Sequence, residues 1–167
     1  MFGLTPLGVI HTAISLIAVA AGVVCFVRYG GISLRNTTGK SYVIMTVLTC
    51  LTGFGIFQHG GFGIPHVLGI VTLVVLALAV VAEHTRLFGT ASRYVETVSY
   101  SATFFFHMIP GVTETFTRLP AGAPLFESPD APALQSTIGV IFVLFIAGSA
   151  YQMWRLRAGQ RSVAIAA

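Results

Sequence analysis

Five stretches of the chain carry almost no charge, and short polar segments separate them. A membrane crossing needs about 20 mostly apolar residues. Such runs occupy residues 5–27, 41–57, 64–82, 94–116 and 136–154. They predict an all-α fold, a polytopic transmembrane bundle of about five helices. Residues 1–167 then form a single transmembrane domain with no room for a soluble catalytic one. The connections are the polar loop 28–40, the glycine-rich turn QHGGFGIP at 58–65, the loop 83–93 and the proline-rich segment 118–135. Pro110 falls inside the fourth run and predicts a kink there. No basic residue follows Met1 and no small-residue cleavage pattern precedes Arg28, so the first run is expected to be a retained span rather than a signal peptide.

Composition strengthens this picture. The chain is 55% hydrophobic and 8% charged, whereas soluble domains average about 25% charged residues. Charge then orients the spans. Arg28, Arg35, Lys40, Arg86, Arg93, Arg155, Arg157 and Arg161 all fall on one side, and only Arg118 falls on the other. Basic loops stay in the cytoplasm. The amino terminus is therefore expected outside and the carboxyl terminus inside a bacterial inner membrane. Tyr29, Tyr42, Tyr94 and Trp154 stand where an inner aromatic belt would lie. The basic residues are dispersed, which argues against a nucleic-acid partner. The bilayer is the first partner, and other membrane or respiratory proteins are the protein partners to expect. Cys25 and Cys50 lie in apolar runs and read as free buried thiols, too few for a disulfide framework or a cysteine zinc site. No Lys lies within a span, which excludes a retinal Schiff base.

Histidines are the candidate chemistry. His11 lies in the first span, His59 ends the second, His66 opens the third and His107 lies in the fourth. All four belong to the outer half on this topology. Only His84, beside Glu83 and Arg86, is at the inner end, where it reads as a solvated loop residue. Ionisable groups inside spans are costly and point to function. In the fourth span Glu96, Ser99, Thr103, His107, Gly111 and Glu114 recur at helical spacing on one polar face. Phe104, Phe105, Met108, Ile109 and Val112 occupy the other face, expected to meet lipid. Small and polar residues on the other spans (Ser15, Gly22, Thr46, Thr49, Gly53, Gly69, Thr72) suit close helix packing around that face.

Neutral imidazole is the commonest metal ligand and suits zinc, copper and iron. The expected site is a metal centre toward the outer face, with His11, His59, His66, His107 and Glu114 as candidate ligands, serving redox chemistry or metal handling. The alternative is one b-type haem held by two histidines. At 1.5 Å per residue, His11 lies roughly 9 Å below its helix end, His107 roughly 15 Å and His66 about 3 Å, so His11 and His107 are the better matched haem pair. A third expectation is a non-enzymatic subunit or scaffold in which the histidines only bind helices together. No HExxH, CxxC, P-loop or GxSxG motif is present.

The segments IHTAISLIAVAAG, GKSYVIMTVLTCLTGFGIF and GFGIPHVLGIVTLVVLAL together resemble a bacterial family of multi-pass predicted membrane proteins of unknown function. The likeness covers roughly residues 8–118. It implies the multi-span architecture and places His11 and His66 on the family's histidines. The family's His-x-x-x-Gly pattern in the first inner loop is not met, since Arg35 and Asn36 stand near that place before Gly39. The resemblance implies no reaction.

Overall fold

A computed structural model describes residues 5–57 and 61–166, with side chains as far as Gln160. It contains five α-helices: α1 (Pro6–Tyr29), α2 (Thr37–Gly53), α3 (Ile64–His84), α4 (Ser92–Arg118) and α5 (Pro132–Ala166). A single 3-10 turn, Gly89–Ala91, leads into α4, and there is no strand among the described residues.

Local chemistry sets the boundaries. The Thr5 hydroxyl accepts from the Gly8 amide at 3.1 Å, and Pro6 opens α1, where its missing N–H costs nothing. Gly30, at φ 75°, ends α1 in the left-handed conformation that glycine adopts without strain. Asn36 caps α2 by accepting from Gly39 N at 2.8 Å. The helix therefore starts before the apolar run does, and Lys40 lies inside it. α4 continues through Pro110. α5 has 35 residues, a length of roughly 50 Å at 1.5 Å per residue, against a hydrocarbon core of about 30 Å. It therefore projects well past residue 154, where the apolar pattern stops.

α1 packs on α2 and α4, α2 on α3, and α4 on α3 and α5. The helices alternate in direction. The loop carrying Ser33 and Arg35 meets Glu83 at the end of α3 and Glu96 at the start of α4. Gln152 of α5 donates to the Gly30 carbonyl at 2.9 Å. One pole of the bundle thus gathers Arg28, Arg35, Lys40, Arg86, Arg93, Arg155 and Arg157, and Arg118 lies at the opposite pole.

Among the described residues three helices, α1, α3 and α5, are long and apolar enough to cross a membrane. Their outward residues are apolar and exposed, among them Leu16, Val27, Ile64, Val74, Val143 and Leu144. α2 has 17 residues. In α4 the buried side chains are Ser92, Glu96, Ser99, Tyr100, Ser101, Thr103, Phe105 and His107. The polar face does turn inward along most of the helix, as the periodicity implies. Near its carboxyl-terminal end the pattern lapses, and Glu114 is exposed.

Two expectations need correction. Phe104 and Phe105 do not form a lipid-facing surface. Phe105 is buried against Phe142 and Phe145 of α5, with ring centroids 5.5 and 5.3 Å away. Phe104 sits over Gly22 of α1 and meets Phe26 edge-on at 5.1 Å. α4 packs on α1, α3 and α5, so these two rings of its apolar face meet neighbouring helices. Tyr42 is not a belt residue either. It is fully buried, with its hydroxyl 2.9 Å from Thr103 Oγ1.

Gly39 offers a direct test of the packing. A helical Gly→Ala change normally gains about 1 kcal/mol. A Cβ on Gly39 would instead overlap the backbone carbonyl of Ser33, in the loop that also carries Arg35. Gly39→Ala is therefore expected to lower stability by about 1–3 kcal/mol, the usual cost of overpacking. Thermal unfolding in detergent reads the sign. A raised midpoint would mean that the loop yields freely and does not clamp α2.

Candidate functional site

A column of polar groups runs along the inward face of α4. At the basic pole Arg35 forks onto Glu96, with Nη1 2.7 Å from Oε1 and Nη2 3.0 Å from Oε2. Its Nε lies 3.7 Å from Glu83. Glu83 also accepts from Ser33 Oγ at 2.6 Å, from the Leu34 amide at 3.0 Å and from Tyr100 Oη at 2.7 Å. The two carboxylates are 3% and 6% exposed, whereas the Arg35 side chain is 50% exposed. Both acids are thus withdrawn from water, and one arginine caps them. The hydrogen bond to Glu96 pushes the Arg35 guanidinium further above its already high ordinary value.

Toward the middle, Thr103 Oγ1 donates to the Tyr100 carbonyl at 2.8 Å, so the Tyr42 hydroxyl must be the donor to Thr103. One turn beyond, His107 Nε2 lies 3.0 Å from Thr46 Oγ1 of α2. The Tyr42 ring meets the imidazole edge-on at 6.0 Å.

His11 reaches the same helix from α1. Its Nδ1 lies 3.0 Å from Thr52 Oγ1. The Thr52 hydroxyl already donates to the Leu48 carbonyl at 2.8 Å. The hydrogen between Thr52 and His11 must therefore belong to the imidazole. With the Thr52 hydroxyl donating to its own helix, His11 is the Nδ1–H tautomer, and Nε2 is the ring nitrogen that carries the lone pair. Gly53 makes room for the ring, because a Cβ there would lie 3.2 Å from His11 Cε1. Thr46 and Thr52 are six residues apart on α2, about 9 Å along the axis, so His11 and His107 occupy neighbouring levels of one half of the bundle.

His66 is elsewhere and differently engaged. It is buried at the start of α3, stacked between Phe57 at 5.1 Å and Phe62 at 5.2 Å. Its Nδ1 accepts from the Gly63 amide at 3.2 Å, so the neutral ring carries its hydrogen on Nε2. That Nε2 is buried without a partner among the described residues. The hydrogen therefore sits on the nitrogen that a metal would need. Glu114 pairs with Arg118 at 2.5 Å. His84 is exposed at the basic pole, with Nδ1 3.0 Å from the Val80 carbonyl, as a solvated histidine would be. His59 lies outside the described residues. Among those described, no three His, Cys, Asp or Glu side chains are grouped closely enough to hold a metal ion. The structure thus ties His11 of α1 and His107 of α4 to the same helix, α2, while His66 stacks between Phe57 and Phe62 and Glu114 pairs with Arg118 within electrostatic range of His11. Cys25 and Cys50 are free and buried, as expected.

The cluster of Arg35, Glu83 and Glu96 was not evident from periodicity. One signal did point to it: the chain has five acidic residues, and Glu83 and Glu96 are the two that fall at the basic pole. No family model matches the chain, and no curated protein or solved structure is similar to it.

Proposed function

We propose that the chain is a bacterial inner-membrane protein of five spans, with its amino terminus outside, that holds one transition-metal cofactor through His11 and His107 in its outer half and serves redox chemistry or metal handling. The observation that carries this reading is the Nδ1–H tautomer of His11. Metal-binding imidazoles commonly donate one ring N–H to a neighbour, which orients the ring and leaves the other nitrogen for the metal. Thr52 does this for His11. His107 is held by Thr46, so its ligation would proceed through Nδ1 or exchange the Thr46 bond.

His11 and His107 are the residues that would hold a b-type haem, which would supply electron transfer; a bare zinc or copper ion would need further donors from His59, His66 or Glu114. An absorption spectrum of the detergent-purified protein, with elemental analysis of the same sample, tests the proposal. A Soret band with stoichiometric iron supports haem. Zinc, copper or iron without that band supports a bare metal centre. Neither result leaves the second reading, a non-enzymatic membrane subunit. That reading is favoured by the same Thr46–His107 and Thr52–His11 bonds acting only as links between helices.

The topology has its own test. The alternation of helices supports the basic pole as cytoplasmic. A reporter fused after Ala167 is expected to behave as cytoplasmic, and one inserted near Ser128 as external. The reverse result would move the histidines to the inner half.

A further inference from the structure

We infer that the groove between the start of α4 and the end of α5 binds the headgroup of an anionic phospholipid of the inner leaflet, with Arg157 taking the phosphate. The inference rests on the membrane reading and its orientation, but not on any cofactor.

The groove is open, about 660 Å³ in volume, and its walls include Tyr94, Met153, Trp154, Arg157 and Gln160. Among the described residues no acidic side chain lines it. Arg157 has no ion-pair partner among the described residues. The Tyr94 hydroxyl donates to Gln160 Oε1 at 3.2 Å, which leaves the Gln160 amide nitrogen available as a second donor. Trp154 is 65% exposed and lies beside Tyr151, with ring centroids 5.9 Å apart. A guanidinium beside an interfacial tryptophan offers a charge for a phosphate and an apolar surface for the chain beneath it. Basic recesses between helices at the cytoplasmic surface take lipid headgroups by this chemistry.

A second groove at the same pole, lined by Leu34, Arg35, Lys40, Ile44, Glu83 and His84, is the useful contrast. There the arginine is already neutralised by Glu96, and a carboxylate forms part of the wall. An anion would meet repulsion there that the α4–α5 groove does not present.

Trp154 is the one tryptophan of the chain, so its fluorescence reports on the groove alone. Delipidated protein in detergent should be titrated with phosphatidylglycerol, with phosphatidylcholine of the same acyl chains, and with glycerol phosphate. Saturable change with phosphatidylglycerol only is the expected result. An equal response to phosphatidylcholine, or none to either lipid, overturns the inference. A response to glycerol phosphate as strong as that to phosphatidylglycerol also overturns it, because the ligand would then be a soluble anion. Arg157→Gln should weaken phosphatidylglycerol binding by roughly tenfold, the scale of one charged hydrogen bond. Arg157→Lys should keep most of it, and Arg93→Gln, at the same pole but outside the groove, should keep all of it. Equal weakening by Arg93→Gln would reveal general surface attraction and overturn the site. The comparison of the three ligands uses the unaltered protein, so it decides the question even if a variant fails to fold.

Discussion

Replacing Arg35 with methionine is expected to cost the folded protein about 1–3 kcal/mol, less than the about 3–5 kcal/mol lost when one member of a fully buried ion pair is removed, because the Arg35 side chain is half exposed. The cost arises on the acidic side. Glu83 and Glu96 are 3% and 6% exposed, and without Arg35 two carboxylates share one dry corner with no cation between them. Glu83 keeps its bonds from Ser33, Leu34 and Tyr100, so Glu96, which loses both guanidinium bonds, carries most of the penalty. Arg35→Met combined with Glu96→Gln should recover part of the loss, since a neutral amide can stay buried at lower cost than an unpaired carboxylate. Arg35→Lys should fall between, because an ammonium cannot fork onto both carboxylate oxygens. Thermal unfolding in detergent, followed by helical circular dichroism, reads the series. An unchanged midpoint for Arg35→Met would mean that water or lipid headgroups satisfy the acids, and that the cluster does not hold the first loop against α3 and α4.

That cluster also marks how far the sequence could be read. The helices were legible because lipid imposes a strong rule: runs with few charges become helices, and α1, α3 and α5 satisfy it outright. The inward face of α4 was legible from Glu96 to His107, because spacing of three and four residues places those side chains on one side of any helix. What faces the opposite side was not. Periodicity separates two faces but does not say whether a neighbour or lipid covers the apolar one, and α5 covers Phe105 only because the chain returns to it after the proline-rich segment. Tyr42 fails for a related reason. An aromatic near a span end fits the interfacial belt equally well by pattern, and only the partner Thr103, 61 positions later, reveals that it points inward. The Arg35–Glu96 pair spans the same separation, beyond the reach of any local rule. Histidine depth could be counted from the helix ends, but tautomers could not. They depend on whether a threonine hydroxyl is already spent on its own helix, as Thr52 is on Leu48.

Those tautomers lead to the prediction with the widest consequence. His11→Ala and His107→Ala are each expected to strip the bound metal or haem, while His84→Ala, at the other pole, leaves it in place. Changes to residues that orient a ligand commonly cost ~10–100-fold in metal affinity, and loss of a ligand itself should cost at least as much. Thr52→Val belongs to the first kind. It removes the acceptor that holds the hydrogen on His11 Nδ1 without removing the ligand, so affinity should fall by about 10–100-fold while a saturated sample keeps its spectrum. His66 separates the two kinds of centre. If a haem iron is bound by His11 and His107, His66→Phe should be silent in the spectrum, since phenylalanine can stack between Phe57 and Phe62 and removes the buried N–H that has no partner among the described residues. If a bare metal recruits a third imidazole, the same change should release it. Bound metal per chain and the absorption spectrum, measured on protein purified alike, distinguish these outcomes. If all the histidine variants keep the wild-type content, or the wild type carries neither metal nor haem, the histidines are links between helices. Such bonds average only about 0.6 kcal/mol in membranes, so each single substitution would then leave stability almost unchanged, in contrast to the larger loss expected at Arg35.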